Sequence, residues 1–355
     1  MAQYDVVVVG AGFAGLACAR ELVASGLKVL MLEKKSRAGM HVHTTGILVK
    51  EAQDEWAAPE HLVREIKRVR VYGPSLRSAA VEHNDYFFLA TDTAGLLGWL
   101  QDQTRKLGVE IRLAEAFSGA GRQQGHWVLD GTGTTCRFLV GADGARSAVA
   151  KRMGFDRNTR YLKGVEYAFE PLDRAELSLH CFVSPEFAPG YIGWVLPGVG
   201  VTQVGLACHS THTVDLRGFI GRIDPVFGLS NRRILEKRGG IIPLGGLLRN
   251  FYDEGVMLIG DAAGMVSPLT AGGIHRAYLY GRLAGQAIAG HLRGAGPHPG
   301  EVIRKSYPRR PWQQAARWFY DRLPAGAMLE ALLRMPLLFR QLAGKIFFDR
   351  MSWPG

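Results

Sequence analysis

Tyr4-Asp5-Val6-Val7-Val8-Val9-Gly10-Ala11-Gly12-Phe13-Ala14-Gly15 is the stretch that decides the fold. Residues 4–9 are a run rich in valine with no polar alternation, which suits a parallel strand buried on both faces. Residues 13–24 carry apolar side chains at helical spacing, Gly26 ends that helix, and residues 27–32 form a second apolar strand closing on Glu33. The result is a βαβ unit with a Gly-x-Gly-x-x-Gly turn between strand and helix, the context in which that motif binds a dinucleotide. Gly10 allows the tight turn, Gly12 lets the backbone approach a pyrophosphate, and Gly15 lets helix pack closely on strand. Phe13 and Ala14 open the helix, whose N-terminus offers free amides to an anion. Glu33 is placed to accept hydrogen bonds from ribose hydroxyls and would repel a 2′-phosphate, so the adenosine belongs to FAD or NAD rather than NADP.

Outward from this unit, residues 61–72 and 78–90 read as a helix end followed by short strands, and 93–107 as a helix leading into a strand over 109–113. A small meander around residue 117, 126–129 and 136–140 returns to the first sheet. Short strands at 165–169, 177–183, 191–196 and 201–207, separated by turn residues, have the pattern of an antiparallel sheet. Residues 256–259 are another apolar strand and 274–292 a long helix of small residues, so the chain returns to the first domain. The expected fold is α/β. A Rossmann-type nucleotide-binding domain takes residues 1–60, 91–160 and 245–298, an α+β substrate domain with an antiparallel sheet takes 61–90 and 161–244, and 299–355 forms a helical C-terminus.

The 355 residues are 47% hydrophobic and 21% charged, a composition that excludes disordered and fibrous classes. The four cysteines lie far apart without a Cys-x-x-Cys pair, so neither a zinc site nor a dithiol is expected. A strand begins at Tyr4, which leaves no room for a secretory signal, and no apolar run is long enough to span a bilayer. A cytoplasmic protein is expected. Of the net charge of +11, more than half sits in residues 301–355, where ten cations meet four anions. Residues 327–333 and 337–348 there are short apolar helices interrupted by Arg334, Arg340, Lys345 and Arg350, with Trp312, Trp318 and Trp353 nearby. Such a region suits either peripheral contact with the cytoplasmic face of an anionic membrane or a helical cap on the second domain. It carries no nucleic-acid recognition motif, and nucleic acid is not an expected partner.

Two later segments separate FAD from NAD. Gly141-Ala142-Asp143-Gly144-Ala145-Arg146-Ser147 and Gly260-Asp261-Ala262-Ala263-Gly264, the latter followed by Pro268 and Gly272-Gly273-Ile274, resemble the paired signatures of FAD oxidoreductases built like p-hydroxybenzoate hydroxylase. That resemblance implies that Asp143 and Gly144 lie beside the pyrophosphate and that Asp261 serves the ribityl and phosphate region. It also sets the Gly272-Gly273-Ile274 turn near the flavin pyrimidine. Gly39-Met40-His41-Val42-His43-Thr44-Thr45-Gly46, the run from Pro268 to Ile274, and Tyr191-Ile192-Gly193-Trp194-Val195-Leu196-Pro197 with Gly205 are similar to the geranylgeranyl reductase branch, flavoenzymes that saturate isoprenoid double bonds. The resemblance spans residues 4–292 and implies a hydrophobic or lipid substrate, with Tyr191, Trp194 and Pro197 at its pocket.

The chain departs from that pattern in several places. An extra residue separates Tyr191 from Trp194, Leu196 stands where Phe is usual, and Ala207 replaces the second glycine of a spaced pair. Thr44 and Thr45 occupy the place of a flavin-side cysteine. Thr91 stands where related hydroxylases carry an arginine, so Arg37 and Arg105 are the candidate cations for the pyrophosphate, and Lys34 beside Glu33 is a further expected cofactor contact. His43 and His275 are the candidate titratable neighbours of the flavin, competing with purely structural roles. The halogenase Trp-x-Trp-x-Ile-Pro signature is missing, since Ile192 precedes Trp194 by two. Prenyl reduction is the favoured reading; a flavin monooxygenase acting on an aromatic or lipid substrate, as a hydroxylase before a halogenase, is the first alternative and non-catalytic FAD binding the second. With no second dinucleotide fingerprint, the electron donor is transient NAD(P)H, a ferredoxin or a quinol.

Overall fold

The computed structural model describes residues 3–40, 42–172, 176–267, 271–308, 317 and 321–348. The chain divides into two compact units, the first made of residues 1–40, 94–160 and 242–311, the second of 41–93, 161–241 and 312–355. Residues 41–60 therefore belong to the second unit, because Ile47–Val49 pairs with Phe88–Thr91 there. The C-terminal segment is likewise shared, its first part going to unit one.

In the first unit, strand β1 (Gln3–Val9), helix α1 (Phe13–Ala24) and strand β2 (Val29–Glu33) form the expected βαβ unit. The parallel core of its sheet runs Val256–Leu258, Thr135–Gly141, β1, β2, Glu110–Leu113, with Tyr252–Asp253 added antiparallel at one edge. Val6 to Val9 are at most 4% exposed, so both faces of β1 are covered, as a run without polar alternation requires. α1 packs against Ile274–Leu292, where Gly281 and Gly285 stand one turn apart. A Cβ on Gly281 would strike the carbonyl of Ala14, and one on Gly285 that of Cys18. The two helix backbones thus approach closely, which accounts for the small residues noted in 274–292.

In the second unit a seven-stranded sheet, counted among the described residues, runs Ile234–Pro243, Tyr161–Phe169, Thr202–His209, Gly193–Pro197, Ser178–Phe182, Arg68–Tyr72, Ser78–Glu82. From Tyr161–Phe169 to Ser78–Glu82 the neighbouring strands are antiparallel except where Ser178–Phe182 meets Arg68–Tyr72, which run parallel. One face is covered by the helix Leu216–Phe227 through Phe219 and Ile223. The other shares a core with a three-stranded sheet and with Leu333, Phe339, Ala343 and Phe348 of the C-terminal helices Ala325–Leu332 and Pro336–Phe347 and their ends. Glu330 Oε1 accepts the Ser75 amide at 2.8 Å and fastens those helices to the unit.

Candidate functional site

In the first unit the registers Val9 to Gly141, Val9 to Leu32 and Gly141 to Leu258 bring the carboxyl ends of four strands together. The Gly10–Gly15 turn, Glu33, the Gly141–Arg146 loop and Gly260–Asp261 therefore share one edge of the sheet, where open α/β folds hold their ligands. The glycines divide by task. Gly10 has φ +105°, and a Cβ there would run into the Ala142 carbonyl; one on Gly15 would run into the Gly10 carbonyl. Gly12 is different: its backbone is extended, φ −84° and ψ −178°, and a Cβ would meet nothing within 4 Å. Two glycines serve the chain's own packing, and the middle one faces open space. No side chain caps the N-terminus of α1, so the amides of its first turn are available to an anion.

Glu33 is nearly buried and accepts the Ala11 amide at 2.8 Å and the Lys35 amide at 2.9 Å, which aims its remaining lone pairs. Lys34 and Arg37 are exposed just beyond it. Lys35, which the sequence did not single out, is the partly buried cation, and burial pushes its ammonium below the ordinary range against the pull of Glu33. Arg105 does not join this cluster. It lies in the last turn of Thr93–Lys106, just ahead of the strand Glu110–Leu113, and so at the amino edge of the sheet. The direction of a parallel strand, invisible in a helical stretch read alone, excludes it.

Asp143 proves to be an organiser of its loop. Its carboxylate accepts the Ser147 hydroxyl at 2.6 Å and the amides of Ala148 at 2.6 Å and Val149 at 3.2 Å, capping Ala148–Arg152, while Gly144 turns at φ +85°. Asn158, unrecognised in the sequence, ties the two later motifs together: its Nδ2 donates to the Asp261 carbonyl at 2.9 Å and to that of Ala145 at 3.3 Å. Asp261 follows Gly260, which turns left-handed and where a Cβ would strike the Ala14 methyl of α1. Burial raises the Asp261 carboxyl to about 6, and none of the described residues donates to it. A Cβ on Gly273 would lie 3.5 Å from its Oδ1. Gly273 is the uncapped N-cap of Ile274–Leu292, with Gly272 exposed before it and His275 half-exposed in the first turn. Pro268 lies outside the described residues. An open Gly12, two uncapped helix starts and a partly buried carboxylate with no donor among the described residues fit the pyrophosphate and polyol parts of FAD.

The second unit holds His43, Thr44 and Thr45. The His43 Nδ1 lies 2.7 Å from the Gly239 carbonyl, which only accepts, so Nδ1 carries the proton. Thr91 donates to the Gly46 carbonyl at 2.8 Å and shares a 2.9 Å hydrogen bond with Thr93. Where relatives were expected to show an arginine, Thr91 and Thr93 lock the loop ending at Gly46.

Around Thr45 is a buried polar network that the sequence reading missed. Glu166, 4% exposed, accepts Trp194 Nε1 at 2.9 Å and Gln203 Nε2 at 3.3 Å, and Thr45 also bonds to it. Gln203 Nε2 donates to the Thr45 carbonyl at 2.9 Å, and Arg238 Nη1 stands 3.8 Å from Glu166. Burial raises the Glu166 pKa, opposed by Thr45, Trp194, Arg238 and Gln203. The geometry rests on Gly205, which is the neighbour of both Glu166 and Trp194 on the strands to either side. A Cβ there would collide with the Trp194 indole, so only glycine lets the ring cross the intervening strand to reach Glu166. Ala207 pairs with Gly164, where even an added Cβ would lie an ordinary 3.7 Å from the Ala207 methyl, so the position is not crowded. Trp194 and Pro197, three apart on the strand Gly193–Pro197, point to opposite faces and do not line one wall; Tyr191 is half-exposed ahead of that strand.

Comparison with known proteins agrees with these features. The family described as FAD dependent oxidoreductase matches residues 5–91, and that described as Lycopene cyclase protein matches residues 216–346. Digeranylgeranylglycerophospholipid reductase 2 of Methanopyrus kandleri is 30% identical over 316 residues, covering 81% of this chain and 77% of the relative. Geranylgeranyl diphosphate reductase of Rhodobacter capsulatus is 28% identical, covering 86% and 80%. The crystal structure of a geranylgeranyl bacteriochlorophyll reductase-like protein from Thermoplasma acidophilum superposes with a TM-score of 0.84 at 22% identity, covering 94% and 91%.

Proposed function

The chain belongs to the geranylgeranyl reductase family of FAD-dependent oxidoreductases, and on that premise we propose that it saturates carbon–carbon double bonds in the prenyl chain of a hydrophobic substrate. The observation that carries this reading is the kinship with a digeranylgeranylglycerophospholipid reductase across 81% of the chain. FAD, when bound, supplies the hydride that alkene reduction needs. The protein's part is to bind, orient and keep water out. Glu33 takes the ribose hydroxyls, the amides opening α1 hold the pyrophosphate, and Asp261 accepts the polyol hydroxyls. The uncapped start of Ile274–Leu292 offers positive potential where negative charge gathers. Because its Nδ1 is committed to Gly239, His43 has only Nε2 with which to take up or release a proton, and His275 is the second candidate proton donor. Tyr191 and Trp194 are the aromatic contacts proposed for the prenyl chain. Reducing equivalents come from NAD(P)H, a ferredoxin or a quinol, which anaerobic mixing with each would separate. We place the protein on the cytoplasmic face of the membrane, where such a substrate resides.

Product mass tests the chemistry. Under strict exclusion of oxygen, a geranylgeranyl lipid should gain two hydrogens per reduced bond; a product that forms only in air and gains an oxygen atom would make the protein a monooxygenase instead.

FAD binding should itself respond to pH. With its folded pKa raised from 3.8 to about 6, Asp261 favours the apo fold below pH 3.8, and that contribution is lost as pH rises through 6. Hydroxyl donors need the ionised form, so affinity should move the other way and weaken about tenfold as pH falls from about 7.5 to about 5. Fluorescence titration of apoprotein with FAD measures this. Asp261→Asn should flatten the profile, and a wild-type affinity independent of pH would remove Asp261 from the site.

A further inference from the structure

Helix Pro336–Phe347 is anchored on one side and bare on the other. Phe339 and Ala343 enter the core of the second unit, yet Met335, Leu338, Leu342 and Ile346, spaced three or four apart, are 42–59% exposed. They form a continuous apolar stripe on one side of the helix. Leu337 is 78% exposed, and Met328 of Ala325–Leu332 is also open. Single exposed apolar residues need no explanation, but a stripe of this length does. Residues 331–348 contain Arg334, Arg340 and Lys345 and no acidic residue. Among the described residues Arg340 and Lys345 form no ion pair, while Arg334 acts electrostatically on Glu330 one turn before it. A second copy of the same face would set cation against cation, whereas an anionic surface would meet both the charge and the apolar stripe.

We infer that this helix docks the protein on an anionic lipid bilayer, with Leu338, Leu342 and Ile346 entering the acyl boundary and Arg340 and Lys345 reaching the lipid phosphates. The inference rests on the membrane reading above and deepens it by naming the face and the lipid chemistry. Aliphatic side chains beside snorkelling cations are the arrangement of interfacial helices. No described helix is long and apolar enough to cross a membrane, so attachment through this element is at the surface.

Sedimentation of the holoprotein with vesicles tests it, using phosphatidylcholine alone and phosphatidylcholine mixed with phosphatidylglycerol. Wild type should bind the mixed vesicles and be weakened by salt. Each cation near an anionic surface contributes roughly a factor of five, so R340E/K345E should lose at least about 20-fold in affinity. L342E/I346E should lose a comparable amount with unchanged melting temperature and flavin absorbance, since both side chains point outward. Turnover of a detergent-dispersed prenyl substrate should be unchanged in both variants, which keeps the catalytic reading separate. Wild-type binding that neither variant alters would overturn this face while leaving membrane contact standing. Wild type that ignores anionic vesicles would overturn both. A dimer in sedimentation velocity that L342E/I346E converts to monomer would assign the stripe to a second copy.

Discussion

Gly12→Val should leave the apoprotein folded and abolish its hold on FAD. The backbone at Gly12 is extended, which any residue adopts, and an added Cβ would meet no protein atom within 4 Å, which leaves room for the branched side chain. Melting of the apoprotein should therefore shift by no more than a few degrees. The space it fills is the one proposed for the pyrophosphate, and displacing that group from the helix start costs about 3 kcal/mol or more, roughly 100-fold in affinity. Gly15→Val and Gly10→Val should behave oppositely. Their side chains would collide with the carbonyls of Gly10 and Ala142, and Gly10 is also left-handed, so both variants should be poorly folded whether or not FAD is present. Equilibrium dialysis with FAD beside thermal melting of the apoproteins separates the two classes. Normal FAD affinity in Gly12→Val would mean that the cofactor lies elsewhere.

The second large effect is expected at Glu166. Replacing it with alanine leaves the donors of Trp194 and Thr45 without this acceptor and takes one of two acceptors from Gln203 and one of two nearby carboxylates from Arg238, which keeps Glu236 at 2.5 Å. Removing one partner of such a buried group costs about 3–5 kcal/mol. That corresponds to a fall of about 10 °C in melting temperature. Glu166→Gln keeps one acceptor oxygen but sets an amide donor against other donors, so its loss should be roughly half as large. Because Gln203 and Glu166 together hold Thr45, both variants should also change the environment of the loop from Val42 to Gly46. Thermal melting with Trp194 fluorescence as a local probe would report both effects. Melting of Glu166→Ala within a degree or two of wild type would show that the network is not a stabilising one.

The first unit was legible in the sequence because its signals are local. A valine-rich run, three glycines at fixed spacing and an acidic residue closing the next strand state a βαβ unit within about thirty residues, and the structure places them as read. What stayed hidden depends on register between distant strands. Glu166, Trp194 and Gln203 become neighbours only once Tyr161–Phe169, Gly193–Pro197 and Thr202–His209 are aligned, with Gly205 opening the passage between them. Glu166 sits between Val165 and Tyr167, a setting that says nothing about which way a carboxylate faces. Asn158 was equally silent, since its role is to bridge two loops more than a hundred residues apart. Arg105 shows the reverse case: a plausible charge in a plausible helix, placed at the wrong end of the sheet by strand direction.

The most direct measurement is anaerobic stopped-flow absorbance of the photoreduced holoprotein mixed with a geranylgeranyl lipid. Return of the oxidised flavin absorbance with oxygen excluded, at a rate that rises with lipid concentration, is the expected result. Flavin that stays reduced with every prenyl lipid offered and reoxidises only when air is admitted would contradict the assignment.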